Sequence, residues 1–183
     1  MTSGSFLQAL IAVSAITYAY YTWRTQIPLV WTQAAAQKEM IALIKSEIDS
    51  RPGQKVKIYD LGSGLGGLCL AIAKTFPDAE IVGMELAWPA WIYSVINQIV
   101  RGQKNLSFVR RDFWKQDISD GDIVVCYLGD IVMKRLGDKL RHDARPHRLF
   151  ISNTFPLPPD WQPIQQIPIA ASLSKNLLVY RQT

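Results

Sequence analysis

Cysteine is nearly missing from this chain: Cys69 and Cys126 are its two copies in 183 residues. Both lie in apolar runs, which argues against a disulfide framework and fits a reducing compartment. Neither has a histidine or a second cysteine at ligand spacing, so no metal site is expected and both read as buried structural thiols. Histidine is as scarce, with His142 and His147 alone; both fall away from the strand ends where a ligand is expected. Internal repeats and low-complexity tracts are missing. No recognised nucleic-acid motif accompanies the net charge of +5, which disfavours nucleic acid as a partner. Charge itself is missing from the first 23 residues.

That uncharged start is nearly continuous in apolar and small residues from Phe6, and it ends in Tyr18, Tyr20, Tyr21 and Trp23 before Arg24. About 18 to 20 such residues suffice to cross a bilayer core as a helix, and aromatic residues favour its interface. We therefore expect residues 1–24 to form a single-pass membrane-anchor helix, although Gln8, Ser14 and Thr17 dilute it. A cleaved signal peptide fits less well, because no cation precedes the apolar stretch and its end is aromatic. A helix packed on the domain is the other alternative. Positive charge follows at Arg24 and Lys38, which would place the remainder on the cytoplasmic side. Residues 25–53 read as an extended linker through Trp31, then an amphipathic helix. Its N-cap would be Thr32, its apolar face Ala36, Met40, Leu43, Ile44 and Ile48, and its stop Pro52-Gly53. A later basic run holds Lys134, Arg135, Lys139, Arg141, Arg145 and Arg148, either a solvated surface or a site for anionic head groups.

The most informative stretch is Asp60-Leu61-Gly62-Ser63-Gly64-Leu65-Gly66-Gly67, at the end of an apolar strand and the start of a helix. Glycines let the backbone approach a nucleotide-like ligand, and a helix N-terminus offers it unpaired N–H groups. Strands are predicted over 56–61, 80–84, 107–110, 123–127 and 149–153, with helices over 68–76, 88–100 and 131–141. In the second of these helices Trp91, Ile92, Val95, Ile96 and Ile99 make the apolar stripe, and Gly102 makes the stop. Strands over 164–170 and 176–181 would form a closing hairpin. The expectation is an α/β, Rossmann-like doubly wound domain over 54–183, with a mostly parallel sheet, an antiparallel last strand and the ligand at the carboxyl strand ends.

Two cofactors compete for the glycine turn. Gly62, Gly64 and Gly67 satisfy the dinucleotide spacing, with Glu85 placed to hold a ribose. Asp60, however, stands where a dinucleotide fold keeps an apolar residue. A carboxylate there is poorly placed beside a pyrophosphate and well placed near an ammonium. An NAD-dependent oxidoreductase would also need a second domain for its substrate, which the expected organisation lacks. The pattern Asp60-x-Gly62-x-Gly64-x-Gly66 resembles that of class I S-adenosylmethionine-dependent methyltransferases.

Further blocks narrow the resemblance: Gly83-Met84-Glu85-Leu86, Arg111-Asp112-Phe113-Trp114-Lys115, and Phe155-Pro156-Leu157-Pro158, preceded by an apolar segment and Ile27-Pro28-Leu29-Val30. In this order they are similar to the small membrane-anchored protein-lysine methyltransferases related to the mitochondrial enzymes for ATP synthase subunit c and the adenine nucleotide translocase. The likeness covers about residues 26–181. It implies S-adenosylmethionine as cofactor, with Asp60, Gly62, Ser63, Gly64 and Gly66 around its methionine part. Glu85 would bind the ribose and Leu86 flank the adenine. Asp112 would accept from the adenine amino group, unless it forms a surface ion pair with Arg111 or Lys115, and Phe113 would supply apolar cover. Leu65 and Gly67 depart from the family, which often has an acidic and a basic residue there; the departure bears on substrate preference.

A lysine acceptor must lose its proton, so the site should be dry and offer groups that align the amine. No Asn-Pro-Pro-Tyr motif follows the fourth strand. Tyr127 and Asp130 stand there instead as catalytic candidates, the alternatives being a strand-end tyrosine and a helix-capping aspartate. Asn153 and Phe155 are candidates for the acceptor channel. The acceptor implied is a lysine on a membrane protein. A small membrane-dissolved molecule, or a silent donor-binding module with no acceptor, are the alternatives.

Overall fold

Alternation of apolar side chains sets the layers of this domain. Along β1 (Lys57–Leu61) Ile58 faces one way, and Tyr59 and Leu61 the other. Along β4 (Ile123–Cys126) Ile123 and Val125 oppose Val124 and Cys126. Strands buried on both faces need cover on both, which is the signature of a parallel sheet. The computed structural model describes residues 3–25, 31–171 and 173–182. Its sheet has seven strands in the order β3-β2-β1-β4-β5-β7-β6. The remaining strands are β2 (Glu80–Glu85), β3 (Leu106–Arg110), β5 (Leu149–Asn153), β6 (Gln165–Pro168) and β7 (Asn176–Arg181). All neighbours from β3 to β5 are parallel, and β7 runs antiparallel between β5 and β6. The expected mostly parallel sheet with its antiparallel last strand is present.

The helices are α1 (Ser3–Thr25), α2 (Ala34–Asp49), α3 (Gly67–Thr75), α4 (Trp88–Arg101) and α5 (Asp130–His142). Helices α2 and α3 cover one face of the sheet through Ala36, Met40, Ile44, Leu68 and Ile72. Helix α5 covers the other through Val132, Met133, Leu136 and Leu140. Gln33, not Thr32, precedes α2 as its cap, and no side chain satisfies that end. Gly102 closes α4 in the left-handed conformation, as expected. The linker expected at 26–31 falls outside the described residues, except for exposed Trp31.

Three further expectations are corrected, the last of them in part. Among the described residues no helix is long and apolar enough to cross a membrane. Helix α1 has 23 residues, but an amide, several hydroxyls and the tyrosines lower its hydropathy. The stripe read on α4 is split: Trp91 and Val95 pack on the core with Ala90 and Ser94, whereas Ile92, Ile96 and Ile99 face outward. The basic run divides: Lys134, Arg135 and Arg141 stay exposed, as a solvated surface would have them, whereas the other three are tied into the fold. Arg148, 1% exposed, donates to the carbonyls of Gly121, Asp143 and Ile118, while Lys139 pairs with Asp143 and Arg145 with Asp122. Buried charges persist where such partners exist.

Glu47 is similarly held. It pairs with Arg51 at 2.6 Å and with Arg181 of β7 at 2.7 Å. The bond from Arg181 keeps its carboxyl below the usual range, against the opposing effect of burial.

Candidate active site

The turn between β1 and α3 is fastened to β2. The amides of Gly62 and Ser63 both donate to the carbonyl of Met84 at 2.9 Å, and that of Gly64 donates to Glu85 Oε2 at 2.9 Å. Glu85 Oε1 accepts from the amide of Ala87 at 2.7 Å. The carboxylate that ends β2 thus joins the glycine turn to the start of α4. Gly66 has φ +78°, a conformation open chiefly to glycine. A Cβ there would also lie 2.4 Å from the Phe108 ring, and one at Gly83 would lie 2.6 Å from it. Phe108 therefore fills the place that both glycines leave, and Trp91 fixes β3 beside it by donating to the Phe108 carbonyl.

Asp60 lies beneath this turn, 4% exposed. Its Oδ2 accepts from the thiol of Cys69 at 3.1 Å, and no lysine or arginine among the described residues pairs with it. Burial pushes its carboxyl up to about 7, opposed by the Cys69 bond and reinforced by the charge of Glu85. Burial likewise raises Glu85, against its three backbone amides, and raises the Cys69 thiol. Two desolvated carboxylates without a counter-cation fit a cationic ligand that also carries hydroxyls. The hydroxyl of Ser63 is buried and finds no partner among the described residues. It is an unspent donor and acceptor in the wall of the same turn.

Leu86, half-buried, and Phe113, buried, lie at the ends of β2 and β3. Asp112 caps the short turn Phe113–Lys115 by accepting from the Trp114 amide at 3.1 Å; Arg111 turns instead to Gln116. The structure thus brings Asp60, Gly62, Ser63, Gly64, Gly66 and Glu85 into one turn, with Leu86, Asp112 and Phe113 on the adjoining strand ends.

The second group of candidates is more dispersed. The Tyr127 hydroxyl donates to the carbonyl of Leu173, and its ring stands 6.3 Å from that of Phe155. Asp130 is exposed in the first turn of α5, past the capping residue Gly129. Asn153 does not line an open channel. It is fully buried, its amide donating to Ser174 and its oxygen accepting from Thr154. It braces the rim from behind.

Sequence reasoning missed the partners that lie far along the chain. Gln33 accepts from the amide of Leu173, so the loop between β6 and β7 is held from both sides, by Gln33 and by Tyr127. Leu128 comes within 2.9 Å of a Cβ placed on Gly62, bringing the loop after β4 against the glycine turn. The one local signal that could have found Phe108 is its place as the apolar residue at the middle of β3.

The sequence compares with known proteins at three levels. It is 30% identical over 142 residues to the adenine nucleotide translocase lysine N-methyltransferase of Mus musculus, covering 77% of this chain and 58% of that protein. The chain thus spans little more than half of the mouse protein's length. It is 26% identical to a protein-lysine N-methyltransferase of Saccharolobus islandicus, over 78% of this chain and 85% of the relative. In structure it resembles an RNA methyltransferase from Salinibacter ruber in complex with S-adenosyl-L-homocysteine. The TM-score is 0.73 at 23% identity, over 84% of this chain and 94% of the other, a likeness of fold. The profile of the ANTKMT methyltransferase domain matches residues 60–165, from the carboxylate under the glycine turn through the aromatic rim. The chain belongs to that methyltransferase family, whose cofactor is S-adenosylmethionine.

Proposed function

We propose that this protein is an S-adenosylmethionine-dependent protein-lysine N-methyltransferase. The observation that carries the reading is the uncompensated carboxylate pair Asp60 and Glu85 under a glycine turn, in a chain two of whose relatives, each matched over more than three quarters of this chain, bear lysine methyltransferase names. S-adenosylmethionine supplies a methyl group activated on a sulfonium. The chain's own residues bind, orient and exclude water. Asp60 would face the donor's ammonium, the turn from Gly62 to Gly66 would pass close to its methionine part, and Glu85 would accept from the ribose hydroxyls. Leu86 and Phe113 would flank the adenine, with the second oxygen of Asp112 on its amino group. Tyr127 and Phe155 would wall the acceptor path, and exposed Asp130 would attract the incoming lysine. In-line transfer to a good leaving group asks mainly for such positioning.

The reading has a pH signature. A cationic ligand favours ionised Asp60, whose carboxyl lies at about 7 in the ligand-free protein. The dissociation constant of S-adenosylhomocysteine, which keeps the ammonium, should therefore be roughly tenfold lower at pH 8 than at pH 6. The ligand-free fold should behave oppositely. A carboxyl raised above its unfolded value stabilises while protonated and loses that contribution as pH rises through 7, so Asp60 favours stability at pH 6 over pH 8. Calorimetry and thermal melting at the two pH values test both signs. Affinity that does not change with pH would remove Asp60 from the ligand.

The acceptor is tested by incubating the protein and methyl-labelled donor with native membranes and with soluble extract, then separating protein, lipid and RNA. Methyl-lysine in protein is the expected product, absent with Glu85→Ala. Label confined to lipid or RNA would overturn the proposal.

A further inference from the structure

Helix α4 has two apolar faces, and the domain uses one. Trp91 and Val95 turn to the core. Ile92, Tyr93, Ile96, Ile99 and Val100 recur at helical spacing on the opposite side, and the last two are 71% and 79% exposed. Helix α1 touches α4 and carries further exposed apolar side chains, among them Ile11, Ile16 and Trp23. The segments that build this face carry charge of one sign. Residues 86–111 and 1–38 contain no aspartate or glutamate. Arg101, Lys104, Arg110 and Arg111 stand exposed at the end of α4 and along the edge strand β3. Arg101, Lys104 and Arg110 enter no ion pair among the described residues.

We infer that α4, with α1 beside it, is a docking face for an anionic lipid bilayer, lying in the interface without crossing it. Aliphatic side chains enter the boundary between head groups and acyl chains, and neighbouring cations meet negative head groups. The charge pattern decides the occupant. A second copy meeting the same patch about a two-fold axis would set cations against cations. Nucleic acid would match the cations and leave five apolar side chains without a partner. With the axis of α4 in the plane of the surface, the glycine turn lies at one end of the footprint.

Flotation of the full chain with phosphatidylcholine–phosphatidylserine vesicles tests this without reference to catalysis. The protein should float with them, less with phosphatidylcholine alone, and less in high salt. The double substitution Ile99→Glu/Val100→Glu should cut binding at least tenfold, and the milder Ile96→Asn severalfold. Both should leave S-adenosylhomocysteine binding and melting temperature unchanged. Arg101→Gln/Lys104→Gln should abolish the preference for anionic vesicles. No flotation with either vesicle, or unchanged flotation of both apolar-face variants, would overturn the inference. So would a lipid-free dimer that Ile99→Glu/Val100→Glu converts to monomer without changing flotation.

Discussion

Glu85→Ala is expected to weaken S-adenosylhomocysteine binding about 100-fold. This carboxylate would accept two ribose hydroxyls, and hydrogen bonds to charged groups contribute about 1.5–3 kcal/mol each. Losing roughly 3 kcal/mol corresponds to two decades in the dissociation constant. A second effect adds to it. The same oxygens hold the amides of Gly64 and Ala87, so the substitution also releases the glycine turn from β2 and α4. Thermal stability should change little, because removing a carboxylate raised by burial relieves a desolvation cost as its bonds are lost. Glu85→Gln, which keeps the shape and loses the charge, should fall between. Calorimetry reads both, and an unchanged dissociation constant for Glu85→Ala would take this residue out of the site.

Gly66→Ala should cost the fold about 3 kcal/mol or more. A non-glycine residue in that conformation costs on the order of 1–3 kcal/mol. Here the new methyl would also meet the Phe108 ring at 2.4 Å and Ser94 Cβ at 2.9 Å. Neither can retreat freely, since the ring lies under the sheet edge and Ser94 is buried on α4. For a domain of this size the melting temperature should fall by roughly 6–12 °C, with donor binding lost. Two neighbours serve as controls. Gly102 has φ +65° with nothing within 4 Å, so Gly102→Ala should show the backbone cost alone. Gly67 opens α3 at negative φ, and its nearest neighbour to an added Cβ is Gln37 at 3.8 Å, so Gly67→Ala should be neutral or slightly stabilising. A melt of Gly66→Ala matching that of Gly102→Ala would show that Phe108 yields.

The sheet was legible because its cues are local. Strand runs, the glycine turn and Gly102 all act within a few residues, and their bounds fall within three residues of those read from the pattern. The apolar stripe of α4 misled for a physical reason. Periodicity shows that apolar residues share a side of a helix, but it does not say whether the covering surface belongs to the same molecule. Arg148 of the basic run misled in the same way, since the carbonyls that take it up come from loops about 30 residues upstream. Asn153 read as a channel residue from its strand-end position, and its burial follows from Ser174, 21 residues on. The hold of Tyr127 on Leu173 spans 46 positions and has no local mark.

The pairing of Glu47 with Arg181 joins positions 134 apart, across α2 and the strand inserted between β5 and β6. Such a contact has little to form against until the sheet has assembled, so it should form on the late, downhill side of the folding barrier. Its energy then acts on escape from the native state rather than on arrival. The pair should therefore work as a kinetic lock, lengthening the lifetime of the assembled domain without hastening its formation.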